Sequence, residues 1–389
     1  MTNHAPIITS KPAKGSFSEL ANTTGSTAPH QLSGTMNFTD ADHSDTHSTS
    51  ATLASAVLSS GSVIPASSLA DFNTAMTSQI LSDNNGSGQI KWAFSDDDDD
   101  FDFLSANQTL VLTYDIVVSD NHGVTAMQTV TVTVTGAEDK PVINAAPAVT
   151  ITEQPNQTLS LSPDTAHVAL GFTDPDLSNT NFTASVVAAS ASGVTTGILP
   201  GPFGAAELMS FINVDNVVKA DGSSSGTINL TFSAPDLAFD YLAAGEQLNI
   251  NYVVQLNDHA GGVTTQNVTV TVIGTNDKPV FLSGPETAHL AEDQNVSPAG
   301  NLTSHDDLFF SDVDLSDTHT VSTTVTALLS NGHAIPLSNA ALLAAFTPTL
   351  EDSTGHIFGE VDWSFALPNS EINFIGGERE LHALGLAQA

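Results

Sequence analysis

The sequence predicts an all-β protein made of tandem β-sandwiches, successive copies of one module with the last copy incomplete. Three observations carry this. The segment Tyr114 to Val142 recurs without gaps as Tyr252 to Val280, at an offset of 138 with 14 of 29 positions identical. The block Phe38-Thr39-Asp40-Ala41-Asp42 returns as Phe172-Thr173-Asp174-Pro175-Asp176 and Phe310-Ser311-Asp312-Val313-Asp314, spaced by 134 and then 138 residues. Within the copies the apolar period is two, as in Val130 to Val134 and Val268 to Val272, where Val and Thr alternate. Such alternation puts β-branched side chains on opposite faces of a half-buried strand. A repeat this long marks whole domains rather than solenoid units.

Taken in order, each copy shows the same parts. Asn3-His4-Ala5-Pro6-Ile7 reads as the tail of a linker of the Asp-Lys-Pro kind seen at Asp139 to Pro141 and Asp277 to Pro279, with His in place of Asp. The Phe-Thr-Asp block follows, and in the first and third copies it is trailed by Ser-Asp-Thr-His, ending at His47 and His319, where a positioning role for the loop is expected. Helical apolar spacing over Leu69 to Met76, Ala205 to Phe211 and Asn339 to Phe346 predicts one short helix per copy. Trp92 and Trp363 sit in alternating strands, a pattern that places aromatics in the core. The acidic run Asp96 to Asp100 lacks the Gly and Glu of an EF-hand loop and reads as a solvated turn before a strand at Phe101 to Leu104, answered by Phe239 to Leu242 and, more loosely, Ile372 to Ile375. The copies are assigned to residues 1–143, 144–281 and 282–389. Position 385, where the Tyr of the penultimate strand belongs, is Gly, so the third copy is expected to lack two strands and to expose sheet edges, and both chain ends read as cut from a longer array.

Composition narrows the function. The chain has 389 residues with 7 Lys plus Arg against 43 Asp plus Glu, a net charge of −36 and a pI near 4.1, which excludes nucleic acid as a partner. Hydrophobic residues at 40% and a mean hydropathy of +0.04 are those of a folding chain rather than an acidic disordered tail. The absence of cysteine removes disulfides, thiolate metal sites and Cys nucleophiles. No signal-type apolar segment opens the sequence, and apolar stretches such as Ala340 to Phe346 are too short to span a membrane. There is no His-Glu-x-x-His, P-loop, dinucleotide-binding or Gly-x-Ser-x-Gly pattern, and repeated carboxylates argue against a single glycosidase-like site, so enzyme activity is not expected.

Phe239-Asp240-Tyr241-Leu242-Ala243-Ala244-Gly245-Glu246, the strand Tyr252 to Asp258, the Val/Thr strand and Gly274-Thr275-Asn276-Asp277-Lys278-Pro279-Val280 together resemble the VCBS and cadherin-like repeats of large bacterial surface adhesins, often of the RTX type. The resemblance covers essentially the full length. It implies Ig-like or cadherin-like sandwiches joined end to end in an exported stalk at the bacterial cell surface, calcium (Ca²⁺) at the linkers, neighbouring repeats as partners, and a role in adhesion or biofilm matrix attachment. Ala137-Glu138-Asp139 departs from the usual Thr-Asn-Asp of the linker.

The acidic residues support calcium on their own chemistry, because a cation that takes six to eight oxygens suits carboxylates clustered in loops. The single Asp-x-Asp is equally the signature of an Asx-turn, and it is the recurrence that favours metal. Asp120, Asp139, Glu153, Asp174 and Asp176 are expected at the first junction, and Asp258, Asn276, Asp277, Glu292, Asp312 and Asp314 at the second. Glu19, Asp40 and Asp42 are expected at an amino-terminal site. Two other readings are a carbohydrate-binding module array, with surface glycans or matrix as ligands, and a noncatalytic spacer of a larger secreted enzyme.

Overall fold

The computed structural model describes residues 3–195, 203–284, 286–329, 335–374 and 381–388. The first sandwich comprises β1 (Ile7–Ile8), β2 (Ala13–Ser18), β3 (Pro29–Thr39), β4 (Ser48–Leu58), α1 (Ala66–Phe72), β5 (Met76–Asn84), β6 (Ser87–Asp97), β7 (Thr109–Ser119) and β8 (Thr125–Thr135). Its two sheets have the orders β1-β3-β6-β5 and β2-β8-β7-β4. The second sandwich repeats the plan with β9 (Val142–Ile143), β10 (Val149–Thr152), β11 (Pro163–Thr173), β12 (Thr183–Gly193), α2 (Ala205–Ser210), β13 (Ile212–Lys219), β14 (Ser225–Pro235), β15 (Gln247–Asn257) and β16 (Val263–Ile273). Its sheets are β9-β11-β14-β13 and β10-β16-β15-β12. Both read as the all-β tandem sandwich that the alternation predicts: Val130, Val132, Val134, Val268, Val270 and Val272 are all fully buried, with the intervening Thr residues turned outward.

The third sandwich holds β17 (Val280–Phe281), β18 (Thr287–Leu290), β19 (Asn301–Ser311), β20 (Ser322–Leu329), α3 (Asn339–Ala345), β21 (Phe346–Glu351), β22 (Phe358–Pro368) and β23 (Leu381–Gln388). One sheet, β17-β19-β22-β21, matches the others, and the second is β18-β23-β20. The expectation that two strands are lacking is corrected here. β23 holds the place of β7 and β15, with Val325 opposite Gly385 as Leu53 is opposite Tyr114. Only the counterpart of β8 and β16 is missing from this sheet among the described residues, and β18 pairs antiparallel with β23 in its stead. The Tyr that marks this strand in sequence is not what forms it: its hydroxyl donates to a helix-end carbonyl, Tyr114 to Phe72 at 2.8 Å and Tyr252 to Leu208 at 3.0 Å.

Two smaller differences have plain causes. The first helix begins at Ala66, directly after Pro65, whose fixed φ suits a helix start, and it ends at Phe72, so that Met76 opens β5. Val142–Ile143 and Val280–Phe281 hydrogen-bond with β11 and β19, so these short strands join the sheet that follows the linker, whereas the limits at 143 and 281 leave them with the preceding copy. Each sandwich has its own core, and the Phe of each recurring block is pressed against a cross-strand glycine: Phe38 on Gly88, Phe172 on Gly226, Phe310 on Gly359. A Cβ at any of these glycines would overlap the ring. The ring thus anchors the strand end from which the Asp-x-Asp loop departs.

Candidate metal centres between the sandwiches

Strand direction decides which carboxylates meet. β7 and β8 form an antiparallel hairpin whose turn contains Asp120, and β8 then runs 11 residues, about 35 Å, before the chain reaches Asp139. Asp120 and Asp139 therefore lie at opposite ends of the first sandwich. Conversely, β2 and β10 run parallel to β8 and β16, with Ser18 opposite Thr135 and Thr152 opposite Ile273. They carry Glu19 and Glu153 to the far end of their own sandwiches, where Glu19 accepts the Ala137 N–H at 2.8 Å and Glu153 the Thr275 N–H at 3.0 Å.

The expected groupings are corrected accordingly. Asp120 belongs at the amino-terminal end, where it accepts from Asn3 at 2.6 Å, beside Asp40 and Asp42, with Asp42 accepting the His4 N–H at 2.7 Å. Glu19 belongs to the first junction and Glu153 to the second. Asp258 belongs to the first junction, not the second: its carboxylate faces Glu138 and Asp174. Glu292 lies on the distal side of the third sandwich, just after β18 and one residue before Asp293, which pairs with Asn369. Asn276 is exposed and turns its amide to the Asp277 carbonyl at 2.6 Å. Asp139, Asp174, Asp176, Asp277, Asp312 and Asp314 are at the junctions as expected, all buried.

At the first junction Glu19, Asp102 and Asp139 bring carboxylate oxygens within 4.8 Å of one another, and at the second Glu153, Asp240 and Asp277 do the same. Across each junction the linker touches the next Asp-x-Asp: the Asp139 N–H donates to Asp176 at 3.2 Å and the Asp277 N–H to Asp314 at 2.7 Å. The run before Phe101 is only in part a solvated turn: Asp97 and Asp99 are exposed, and Asp98 is not. Asp98 starts a one-turn 3-10 helix, is fully buried, and accepts from Leu20 N–H, Thr23 Oγ1 and His30 Nε2, while Asp102 accepts the Gly25 N–H. Phe101 to Leu104 form a turn rather than a strand. Asp98, Asp102, Asp236 and Asp240 were missed in the sequence, although the recurrence of Asp98/Asp102 as Asp236/Asp240 at the same offset of 138 was legible there.

The electrostatics are those of anions held together without enough positive charge. Burial first, then the neighbouring Asp139, Asp176 and Asp102, push the Glu19 carboxyl up to about 9. Glu153 rises to about 9 by burial and its neighbours Asp277, Asp240 and Asp236. Burial also raises Asp174 and Asp314 to about 7 and lifts Asp176 and Glu138. No well-aligned donor reaches either oxygen of Asp174 or Asp277, although the Asn156 and Gln157 N–H groups near Asp277 and the Asp176 N–H near Asp174 offset part of the burial, and one oxygen each of Glu19, Asp102, Asp139, Asp176, Glu153, Asp236, Asp240 and Asp314 also lacks a donor. Buried carboxylate oxygens normally have partners, and an unpaired one costs several kcal/mol. Such a set fits a hard divalent cation, which takes carboxylate oxygens in sixes to eights.

The Asp-x-Asp loops are braced differently in different copies. His47 bridges Asp40 (Nε2, 3.1 Å) and Asp83 (Nδ1, 3.0 Å), and His319 bridges Asp312 (2.8 Å) and Asp352 (2.7 Å). Burial pulls both imidazoles down, but the paired carboxylates outweigh it and the net shift is upward. In the second sandwich this task falls to Lys219, buried, with Nζ donating to the Asp176 and Asn179 carbonyls at 2.9 and 2.7 Å beside Asp174. Replacing Lys219 by Met should lower stability by about 3 kcal/mol in metal-free buffer, since removing one member of a buried charged set leaves the other uncompensated. The urea midpoint measures this, and an unchanged midpoint would show that the ammonium does not balance Asp174.

No family model matches the chain, and no curated protein matches it. Among solved structures it is similar to protocadherin gamma B7 extracellular cadherin domains 1–4, 14% identical over 99% of this chain and 75% of that one at a TM-score of 0.36. It is also similar to human CDH23 EC21-23, 14% identical over 82% and 84% at 0.32, and to the protocadherin gammaB7 EC3-6 cis-dimer structure, 16% identical over 92% and 68% at 0.36. Among the described residues no helix is long and apolar enough to cross a membrane.

Proposed function

We propose that the chain is a stalk segment of a secreted or cell-surface adhesin, three successive sandwiches whose junctions are stiffened by calcium. The observation that carries this reading is the convergence, at both junctions, of buried carboxylates from two successive sandwiches with oxygens that no donor satisfies. Glu19, Asp102, Asp139, Glu138, Asp174, Asp176 and Asp258 would hold cations at the first junction, and Glu153, Asp236, Asp240, Asp277, Asp312 and Asp314 at the second. A bound dication supplies the positive charge that a chain of net charge −36 lacks at these places. Because the ligands come from both sides of a linker, satisfying them fixes one sandwich against the next. The resemblance to VCBS and cadherin-like repeats supports the bacterial surface and an adhesive or matrix-binding role, with neighbouring repeats as the direct partners.

The glycan-binding alternative has less support. Both Trp residues and all three Tyr residues are buried, Trp363 stacking on Phe346 with centroids 5.6 Å apart, so none offers a platform to a sugar. Calorimetric titration of the metal-stripped chain with calcium, combined with small-angle scattering, tests the proposal. Saturable binding accompanied by a longer, narrower distance distribution is expected. Binding without any change in shape, or no binding at all, would reject the stiffening role.

A further inference from the structure

At the second position of the strand that opens each sandwich's long hairpin partner, the copies differ. In the first sandwich it is His30, stacked on Phe17 with centroids 4.2 Å apart, whose Nε2 lies 2.7 Å from Asp98 Oδ1. With Leu20 N–H and Thr23 Oγ1 also donating, both oxygens of Asp98 are satisfied. In the second sandwich the same position is Asp164, set against Asp236, the counterpart of Asp98. In the third the two positions are Leu302 and Asn369, and no carboxylate pair exists there.

The pair Asp164 and Asp236 is 5% and 0% exposed. Gln154 serves one oxygen of each, its backbone N–H donating to Asp236 Oδ1 at 2.9 Å and its Nε2 to Asp164 Oδ1 at 3.2 Å. Both Oδ2 atoms are buried without a donor, and no cationic side chain among the described residues is paired with either group. Asp240 adds its charge nearby, and burial together with these anions raises the Asp164 carboxyl above its ordinary range. Like charges buried this close cannot both be ionised unless a cation lies between them; otherwise the two share a proton. A single proton would neutralise one of them and leave Asp240, Glu153 and Asp277 uncompensated alongside.

We infer that Asp164 and Asp236 form a further hard-cation position at the second junction, one that His30 replaces at the first. The two junctions are then unequal in the number of divalent ions they take. This rests on the reading of the junctions as cation sites, and the experiment separates the two. Calcium bound per chain is counted by equilibrium dialysis for the full chain and for Asp164→Asn and Asp164→His, the latter reproducing the first sandwich. Both variants should bind one ion fewer and, having lost a buried like charge, should melt at a higher temperature than the parent in metal-free buffer. An equal count and equal affinity in parent and variants would overturn the Asp164 position alone and leave a shared proton in its place. No calcium bound by the parent chain would overturn the reading of both junctions, and this inference with it.

Discussion

Stripping divalent ions should lower the unfolding temperature of the chain by roughly 15 °C relative to millimolar calcium. A ligand that binds only the folded state at a thousandfold excess over its dissociation constant stabilises by about 4 kcal/mol, and each kcal/mol moves the midpoint of a module this size by about 2–4 °C. The effect should concentrate in the second sandwich, which among the described residues has the carboxylate clusters of both junctions at its ends. Asp277 is the discriminating residue: it is 1% exposed, no well-aligned donor reaches its oxygens, and it joins Glu153 and Asp240 on one side while its N–H holds Asp314 on the other. Asp277→Ala should abolish most of the calcium-dependent gain while leaving the metal-free melting point unchanged or higher, because the variant removes a buried negative charge. Scanning calorimetry with and without calcium reads both, and a parent chain whose midpoint ignores calcium would defeat the account.

The pH dependence of stability should reverse sign with metal. In metal-free buffer Glu19 and Glu153 sit near 9, and Asp174 and Asp314 near 7, against ordinary values of 4.5 for Glu and 3.8 for Asp. A carboxyl whose folded value is raised binds protons in the folded chain that the unfolded chain has released. Its stabilising contribution is complete below the unfolded value and is lost as pH rises through the folded one. The metal-free midpoint should therefore fall steadily between pH 5 and pH 9. With saturating calcium the same groups must be ionised to serve as ligands, so protons compete and the midpoint should rise from pH 5 toward neutrality. Melting curves at pH 5, 7 and 9 in both conditions would give crossing profiles. Parallel profiles would mean that these carboxylates do not exchange protons for metal.

Much of the architecture was legible in the residues themselves. The Val/Thr alternation from Val130 and Val268, the repeated Phe-Thr-Asp blocks and the buried roles of Trp92 and Trp363 follow from local periodicity, which survives folding unchanged. The identities of most junction carboxylates were legible too, because recurrence singles them out. What sequence adjacency misassigned was their grouping. Asp120 and Asp258 are close in sequence to the linkers, yet a hairpin turn lies one full strand away from where its second strand ends. Glu153 begins a copy in sequence and finishes at its far end in space, because β10 runs parallel to β16. The Asp96 to Asp100 run looked like solvated charge, and only the packing of Leu20, Thr23 and His30 around Asp98 makes one member of it buried.

The amino-acid order alone fixed the class of fold, the number of sandwich-sized copies and the acidic chemistry, since strand period and repeated residue types are local properties that no distant contact alters. Only the tertiary structure decided which acids share a junction, that Lys219 does in the middle sandwich what His47 and His319 do in the outer ones, and that Asp164 stands where His30 stood. Those outcomes depend on strand direction and on which side chains are pressed together without water, and charge balance in a buried space is a property of the whole group rather than of any one position.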